Sequence, residues 1–171
     1  MKRSLFNLIC SLVCLLSWTC ASMAAGQAPA SDWQLTVTGP DQTRLARIAL
    51  PATGRWCLIW NHSVQGFEVT DCFRVVDGQL ELDSTHTPDF AAGLGYIRGR
   101  GVLESDTHHG YRIVDMDVPI PDNTLRLRVG SAAVNHRIRA GSQTVSLSRL
   151  AAHKLVAIQL THPAHEGRNT Q

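Results

Sequence analysis

The chain has 171 residues, of which 44% are apolar, with 16 Lys and Arg against 14 Asp and Glu. That length suits one domain. A formal net charge of +2 is too small to drive binding to nucleic acid or to an anionic membrane surface.

Residues 1–24 read as a secretory signal peptide. Lys2 and Arg3 form a positive start, residues 5–18 an apolar stretch, and Ser22-Met23-Ala24 a small-residue end, with cleavage after Ala24 or Ala25. The apolar stretch is short for a retained membrane anchor. Thr19 is not the small residue expected before a lipid-modified Cys20. Cleavage would remove Cys10, Cys14, Cys20 and two positive charges, and would leave Cys57 and Cys72 in a chain of balanced charge. The expected location is the periplasm or the exterior, where thiol pairs oxidise. The expected organisation is one β domain over residues 25–160 and a polar flexible tail over 161–171.

After a short leader, residues 33–38 alternate as a first strand, and Gly39-Pro40-Asp41 turns the chain. Residues 44–50 alternate again, and Pro51 to Gly54 leads into the most informative stretch. Residues 56–60 and 67–75 are rich in aromatic and β-branched residues on either side of Ser63-Val64-Gln65-Gly66, so they read as a β-hairpin. If His62 pairs with Phe67, one face carries Trp56, Leu58, Trp60, Phe67, Val69, Phe73 and Val75, with His62 and Asp71 embedded among them. That asymmetry fixes the register. It also sets Cys57 opposite Cys72. The two are read as a cross-strand disulfide worth roughly 3 kcal/mol, the alternative being two free thiols. His62 and Asp71 share the face but lie four rows apart, roughly 13 Å along the strand, which argues against a direct catalytic pair.

Asp77-Gly78 is a tight turn, and residues 79–83 alternate as a strand. Residues 87–100 carry Gly93, Gly95 and Gly99 and cannot form a regular helix. They either cross between sheets or present N–H groups to an anion. Residues 101–110 read as a polar loop containing His108-His109, residues 111–118 as a strand, and 119–122 as a connection.

Residues 124–129 and 134–139 read as a second hairpin around Gly130-Ser131-Ala132-Ala133. Pairing Val129 with Val134 gathers Leu125, Leu127, His136 and Ile138 on one face. It gathers Arg126, Arg128, Arg137 and Arg139 on the other. Four arginines on one face can bind a carboxylate or phosphate bidentately. The competing reading is a solvated face balanced by acids such as Glu81 and Asp83. His136 is the odd residue on the apolar face, and a pocket shared by His62, Asp71 and His136 is the candidate interior site. Residues 143–150 and 154–160 read as the last strands. His162 and His165 in the tail are weak candidate metal ligands.

Several short runs carry a resemblance. His62-Ser63-Val64 followed by Val69, Asp71 and Phe73 is one. Phe90-Ala91-Ala92-Gly93-Leu94-Gly95 is a second and Gly110-Tyr111 a third. Leu125 to Val129 followed by Asn135 to Ile138 is a fourth. Together they resemble a family of exported bacterial proteins of unknown function, often encoded beside TRAP transporters of the TAXI type. Asp71 stands where the family usually has Glu, and Gly95 where it usually has Pro. The resemblance implies a periplasmic protein that works with such a transporter for organic acids. Its membrane subunit or solute receptor would be the partner.

About ten short strands at regular spacing, with Gly/Pro turns and no long helical pattern, predict an all-β fold, an antiparallel sandwich or partly open barrel. The function expected is a non-enzymatic accessory or small-ligand-binding protein without a cofactor. Its candidate ligand set is His62, Ser63, Asp71, His136 and the four arginines, and its ligand a small carboxylate. Two alternatives stand beside it. A hydrolase would use His62 and Ser63, although no GxSxG nucleophile elbow is present. A metal protein would need histidines to converge from separate strands.

Overall fold

The computed structural model describes residues 30–89, 95–106 and 110–162. The signal segment, residues 90–94 of the second family run, His108-His109 and the tail beyond His162 lie outside the described residues.

The alternating strands fold into two antiparallel sheets, as the all-β reading expects, and no barrel closes. The smaller sheet has the order β2 (Arg44–Pro51), β1 (Ala30–Thr38), β12 (Leu155–Thr161), β9 (Thr124–Arg128). The larger runs β11 (Gln143–Ser146), β10 (Arg137–Ala140), β3 (Trp56–Asn61), β4 (Glu68–Val76), β5 (Gln79–Thr87), β7 (Gly110–Val114), β6 (Val102–Asp106), and β8 (Val118–Pro119) adds to β5. Apolar residues recur with period two along these strands, so one face of each sheet can be buried against the other. Leu35, Val37, Ile48, Leu50, Val156, Ile158 and Leu160 of the smaller sheet meet Trp56, Leu58, Phe73, Leu80, Leu82, Tyr111, Ile113 and Ile138 of the larger in one core.

The central hairpin has the expected register. Trp56 pairs with Phe73, Leu58 with Asp71 and Trp60 with Val69. His62 closes the loop, its N–H donating to the Phe67 carbonyl at 2.8 Å and its carbonyl accepting from Gly66 at 2.9 Å. Trp56 and Phe73 stack at 4.4 Å. Cys57 and Cys72 face each other and are bonded.

Four expectations are corrected. First, residues 124–139 are not a hairpin. β9 pairs with β12 and β10 with β3 and β11, so the chain crosses between sheets at Val129 to His136. Arg126 and Arg128 therefore lie on the smaller sheet, and Arg137 and Arg139 on the larger. Second, the strand at 79–83 continues to Thr87 through a bulge: Phe73 pairs with Leu82 and Cys72 with Ser84, leaving Asp83 as the extra residue. Third, residues 101–110 hold a strand, β6, whereas the strand read over 111–118 breaks after Val114. Asp115 and Asp117 adopt left-handed φ of 51°, a conformation that Asp and Asn tolerate better than most residues. Fourth, the strand read over 143–150 stops at Ser146. Ser146 caps a short helix, α1 (Leu147–Ala151), by accepting the Arg149 N–H at 3.3 Å.

The bulge has a local consequence. An extra residue reverses side-chain parity beyond it. Asp83 turns to the outer face, where Arg55 pairs with it at 2.8 Å and Arg74 at 3.1 Å. Thr85, not Ser84, then faces inward beside Asp71.

Candidate functional site

Among the described residues β9 has a hydrogen-bonded neighbour on one side only, so it forms an edge of the smaller sheet. Beneath it, between the sheets, lies an open cavity of about 730 Å³. Leu125 and Leu127 of β9 form its roof. Leu58, Trp60, Asp71, Phe73 and Leu82 of the larger sheet form its floor. Met116, Val118 and Ile120 line one wall, and Gly130, Val134 and His136 contribute from the crossover between the sheets. Asn61, Ser63, Gly95, Ile97 and Arg100 complete the lining, and Ser63, Gly95, Ile97 and Arg100 are exposed, which places them at the rim.

Alternation explains the apolar majority: these are inward positions of strands that would otherwise touch across the core. Two polar residues break the pattern. Asp71 sits in the middle strand of the larger sheet, in a row running Leu58, Asp71, Thr85, Ile113. Its Oδ1 accepts from the Thr85 hydroxyl at 2.6 Å and its Oδ2 from the Trp60 indole N–H at 3.5 Å. Burial pushes its carboxyl above the usual value, against the pull of those two hydrogen bonds. Burial likewise raises the phenol of Tyr111, with the Asp71 and Asp89 carboxylates adding to the shift.

His136 is buried at the end of the crossover. Its Nδ1 accepts the Gly130 N–H at 2.9 Å, and its backbone N–H donates to the Ser148 hydroxyl, which in turn donates to the Gly130 carbonyl. A ring whose Nδ1 accepts is neutral and carries its proton on Nε2. Burial pushes it below the ordinary histidine value, in the same direction. Its ring stacks on Trp60 at 6.0 Å. Trp60 therefore bridges the two polar groups, touching His136 with its ring face and Asp71 with its N–H.

The structure brings together Ser63, Asp71 and His136 of the expected ligand set and separates the rest. His62 does not line the cavity. Its Nδ1 accepts the backbone N–H of Gln65 at 3.1 Å and of Val64 at 3.4 Å, and its ring stacks on Phe67. It is a loop-closing residue. No hydrogen bond joins the Ser63 hydroxyl to an imidazole among the described residues. The arginines are dispersed. Arg137 pairs with Glu68, Arg128 donates to the His153 carbonyl at 3.0 Å, Arg126 is exposed on β9, and Arg139 lines a separate polar groove with Arg112 and His86. Glu81 and Asp83 pair with Arg74 and Arg55 instead of these four. Among the described residues no group of three or more His, Cys, Asp or Glu side chains is placed to hold a metal. His162 packs edge-on against Trp33.

Sequence reasoning missed Trp60 as a polar contact, Thr85 and Arg100. The indole N–H was hidden behind an apolar assignment. Thr85 is placed by a bulge with no local residue signature. Arg100 ends a glycine-rich stretch read as a crossing or as backbone N–H groups for an anion, neither of which uses its side chain.

The matched family model is a domain of unknown function, DUF1850, over residues 57–147. No curated protein and no solved structure matches the chain. The matched span includes every cavity-lining residue named above, from Leu58 to His136. With more than half of its length matched, the chain belongs to the DUF1850 domain family.

Proposed function

We propose that this is an exported, non-enzymatic binding protein that takes a mainly apolar small molecule into the cavity under β9. The observation that carries the reading is the cavity itself. Its volume of about 730 Å³ falls in the range of small-molecule sites. Its apolar lining with a few converging polar groups is the composition such sites have. The buried polar groups face hydrogen-bond partners instead of a nucleophile, which favours holding a ligand over transforming one. The apolar, positively started N-terminus and the Cys57–Cys72 bond support export to an oxidising compartment. The resemblance supports an accessory role beside a TAXI-type TRAP transporter, and recovery of its membrane subunit or solute receptor with the protein from solubilised membrane checks that part.

The binding reading is tested with N-phenyl-1-naphthylamine, a neutral dye that fluoresces in apolar surroundings. The oxidised protein should enhance its emission saturably. Leu127→Trp, which fills the cavity from its roof, should abolish the enhancement without lowering the urea midpoint. No enhancement with the unaltered protein, or equal enhancement with the folded variant, overturns the reading.

A further inference from the structure

The polar atoms of the cavity wall divide unequally into used and unused groups. The acceptors are mostly used. Both oxygens of Asp71 are engaged by Thr85 and Trp60. The Gly130 carbonyl accepts from Ser148, and Nδ1 of His136 accepts from Gly130. The Asn61 side chain donates through Nδ2 to the Ala133 carbonyl at 3.1 Å, and its Oδ1 has no partner among the described residues. Of the donors, the Trp60 indole, the Asn61 amide and the Gly130 N–H are engaged, and two stand out as unused. Nε2–H of His136 has no partner among the described residues. Arg100, exposed at the rim, has no acid partner among them either.

A ligand for this wall needs an acceptor, and at the rim it needs an anion. A guanidinium is charged at every physiological pH, and its planar fork matches a carboxylate with two parallel hydrogen bonds. One rim cation suits a monoanion better than a phosphate ester, which would bring nearly two charges. A cationic head would meet Arg100 and find the Asp71 oxygens already engaged. A purely apolar ligand would leave both donors without acceptors.

We infer that the ligand is an amphiphile with a single carboxylate, its apolar body lying under Leu125 and Leu127 and its carboxylate received by Arg100 at the rim. His136 then offers the interior donor to a ligand oxygen. The inference rests on the binding reading above and adds the class of ligand.

Calorimetric titration of the oxidised protein with decanoate, decanol and decylamine tests it, because the three share a chain and differ in head group. Decanoate should bind most tightly, and decylamine at least about tenfold more weakly. Arg100→Gln should weaken decanoate about tenfold, the scale of one lost charge-assisted contact, and leave decanol unchanged. Arg100 is exposed, so this variant keeps the fold. Decylamine or decanol binding as tightly as decanoate, or Arg100→Gln weakening decanoate and decanol alike, overturns the head-group assignment while the apolar cavity stands. If none of the three binds and the neutral dye also fails to bind, the cavity reading falls and this inference with it.

Discussion

Replacing Thr85 by Val tests the polar centre of the cavity floor. Thr85 is fully buried, and its hydroxyl donates to Asp71 Oδ1 at 2.6 Å. Valine keeps the side-chain shape and deletes that donor. Among the described residues the carboxylate then retains only the long contact from Trp60 at 3.5 Å. A hydrogen bond to a charged group contributes about 1.5–3 kcal/mol, whereas one between neutral groups contributes about 1 kcal/mol. The cost should therefore depend on whether Asp71 is ionised. Burial raises its pKa, and the Thr85 bond lowers it, so the variant raises it further. A carboxyl raised in the folded state contributes stability that is fully present below the unfolded value of about 4 and is lost as pH rises through the folded value. The variant should lose more than the parent over that window. The expected penalty is about 1 kcal/mol or less at pH 4 and about 2 kcal/mol at pH 7. Urea denaturation followed by tryptophan fluorescence at both pH values measures it. Ser84→Ala is the control: Ser84 faces the opposite side beyond the bulge, and its cost should not vary with pH. A Thr85→Val penalty equal at pH 4 and pH 7 would refute the coupling to an ionising Asp71. A pH-dependent penalty at Ser84 would refute the bulge.

Two further outcomes are expected. Cys57→Ser with Cys72→Ser opens a link between residues 15 apart and should lower stability by about 3 kcal/mol, on the order of 10 °C in Tm; a loss under about 1 kcal/mol in thermal denaturation would mean that the denatured hairpin is already constrained without the bond. Burial holds His136 below its usual pKa, so its contribution is present above pH of about 6.5 and is lost as pH falls through the lowered folded value. His136→Gln should flatten the acid limb of a Tm–pH profile, and an unchanged limb would assign that loss to other groups.

Much of the fold was legible because strand pairing is often local. The β3–β4 hairpin could be registered from Trp56 to Val75 because its two strands are sequence neighbours with one apolar face, and that register also exposed the Cys57–Cys72 pair. The same logic failed at β9 and β10. Leu125, Leu127 and Ile138 point inward whether the two strands pair with each other or join opposite sheets, so alternation cannot separate the two topologies. The choice lies in longer-range bonds. The Asn61 N–H donates to the Val134 carbonyl, and Ser148 ties Gly130 to His136. No local pattern reports those contacts. The arginine face fell with that hairpin. Asp71 and His136, by contrast, were visible as polar residues on apolar faces, an anomaly that survives an error in topology. Thr85 and Arg100 were not, because one depends on a bulge and the other on a loop folding back over the rim.

The cavity stays open for identifiable reasons. Leu125, Leu127, Val118 and Ile120 point inward yet remain only half-buried, whereas protein interiors ordinarily close over such side chains. Closure here would require the wall from Asp115 to Asn123 to move inward, and that wall is pinned along its length. The Met116 N–H donates to the Asp83 carbonyl, and the Ile120 N–H to the Leu80 carbonyl. Asn123 Oδ1 accepts from both the Leu80 N–H and the Gln79 amide. Arg74 holds Asp117 from outside. Asp115, Asp117, Asp122 and Asn123 all adopt left-handed φ, and backbone of that kind persists where its surroundings over-determine it. A wall so fixed keeps its shape with or without a ligand, so less ordering entropy opposes binding. The apolar surface left half-covered weakens the free protein, and a ligand that covers it recovers that loss on binding. For this reason the cavity is read as a site and not as a packing defect, and the Leu127→Trp variant, by covering the same surface covalently, should stabilise the fold as it excludes the dye.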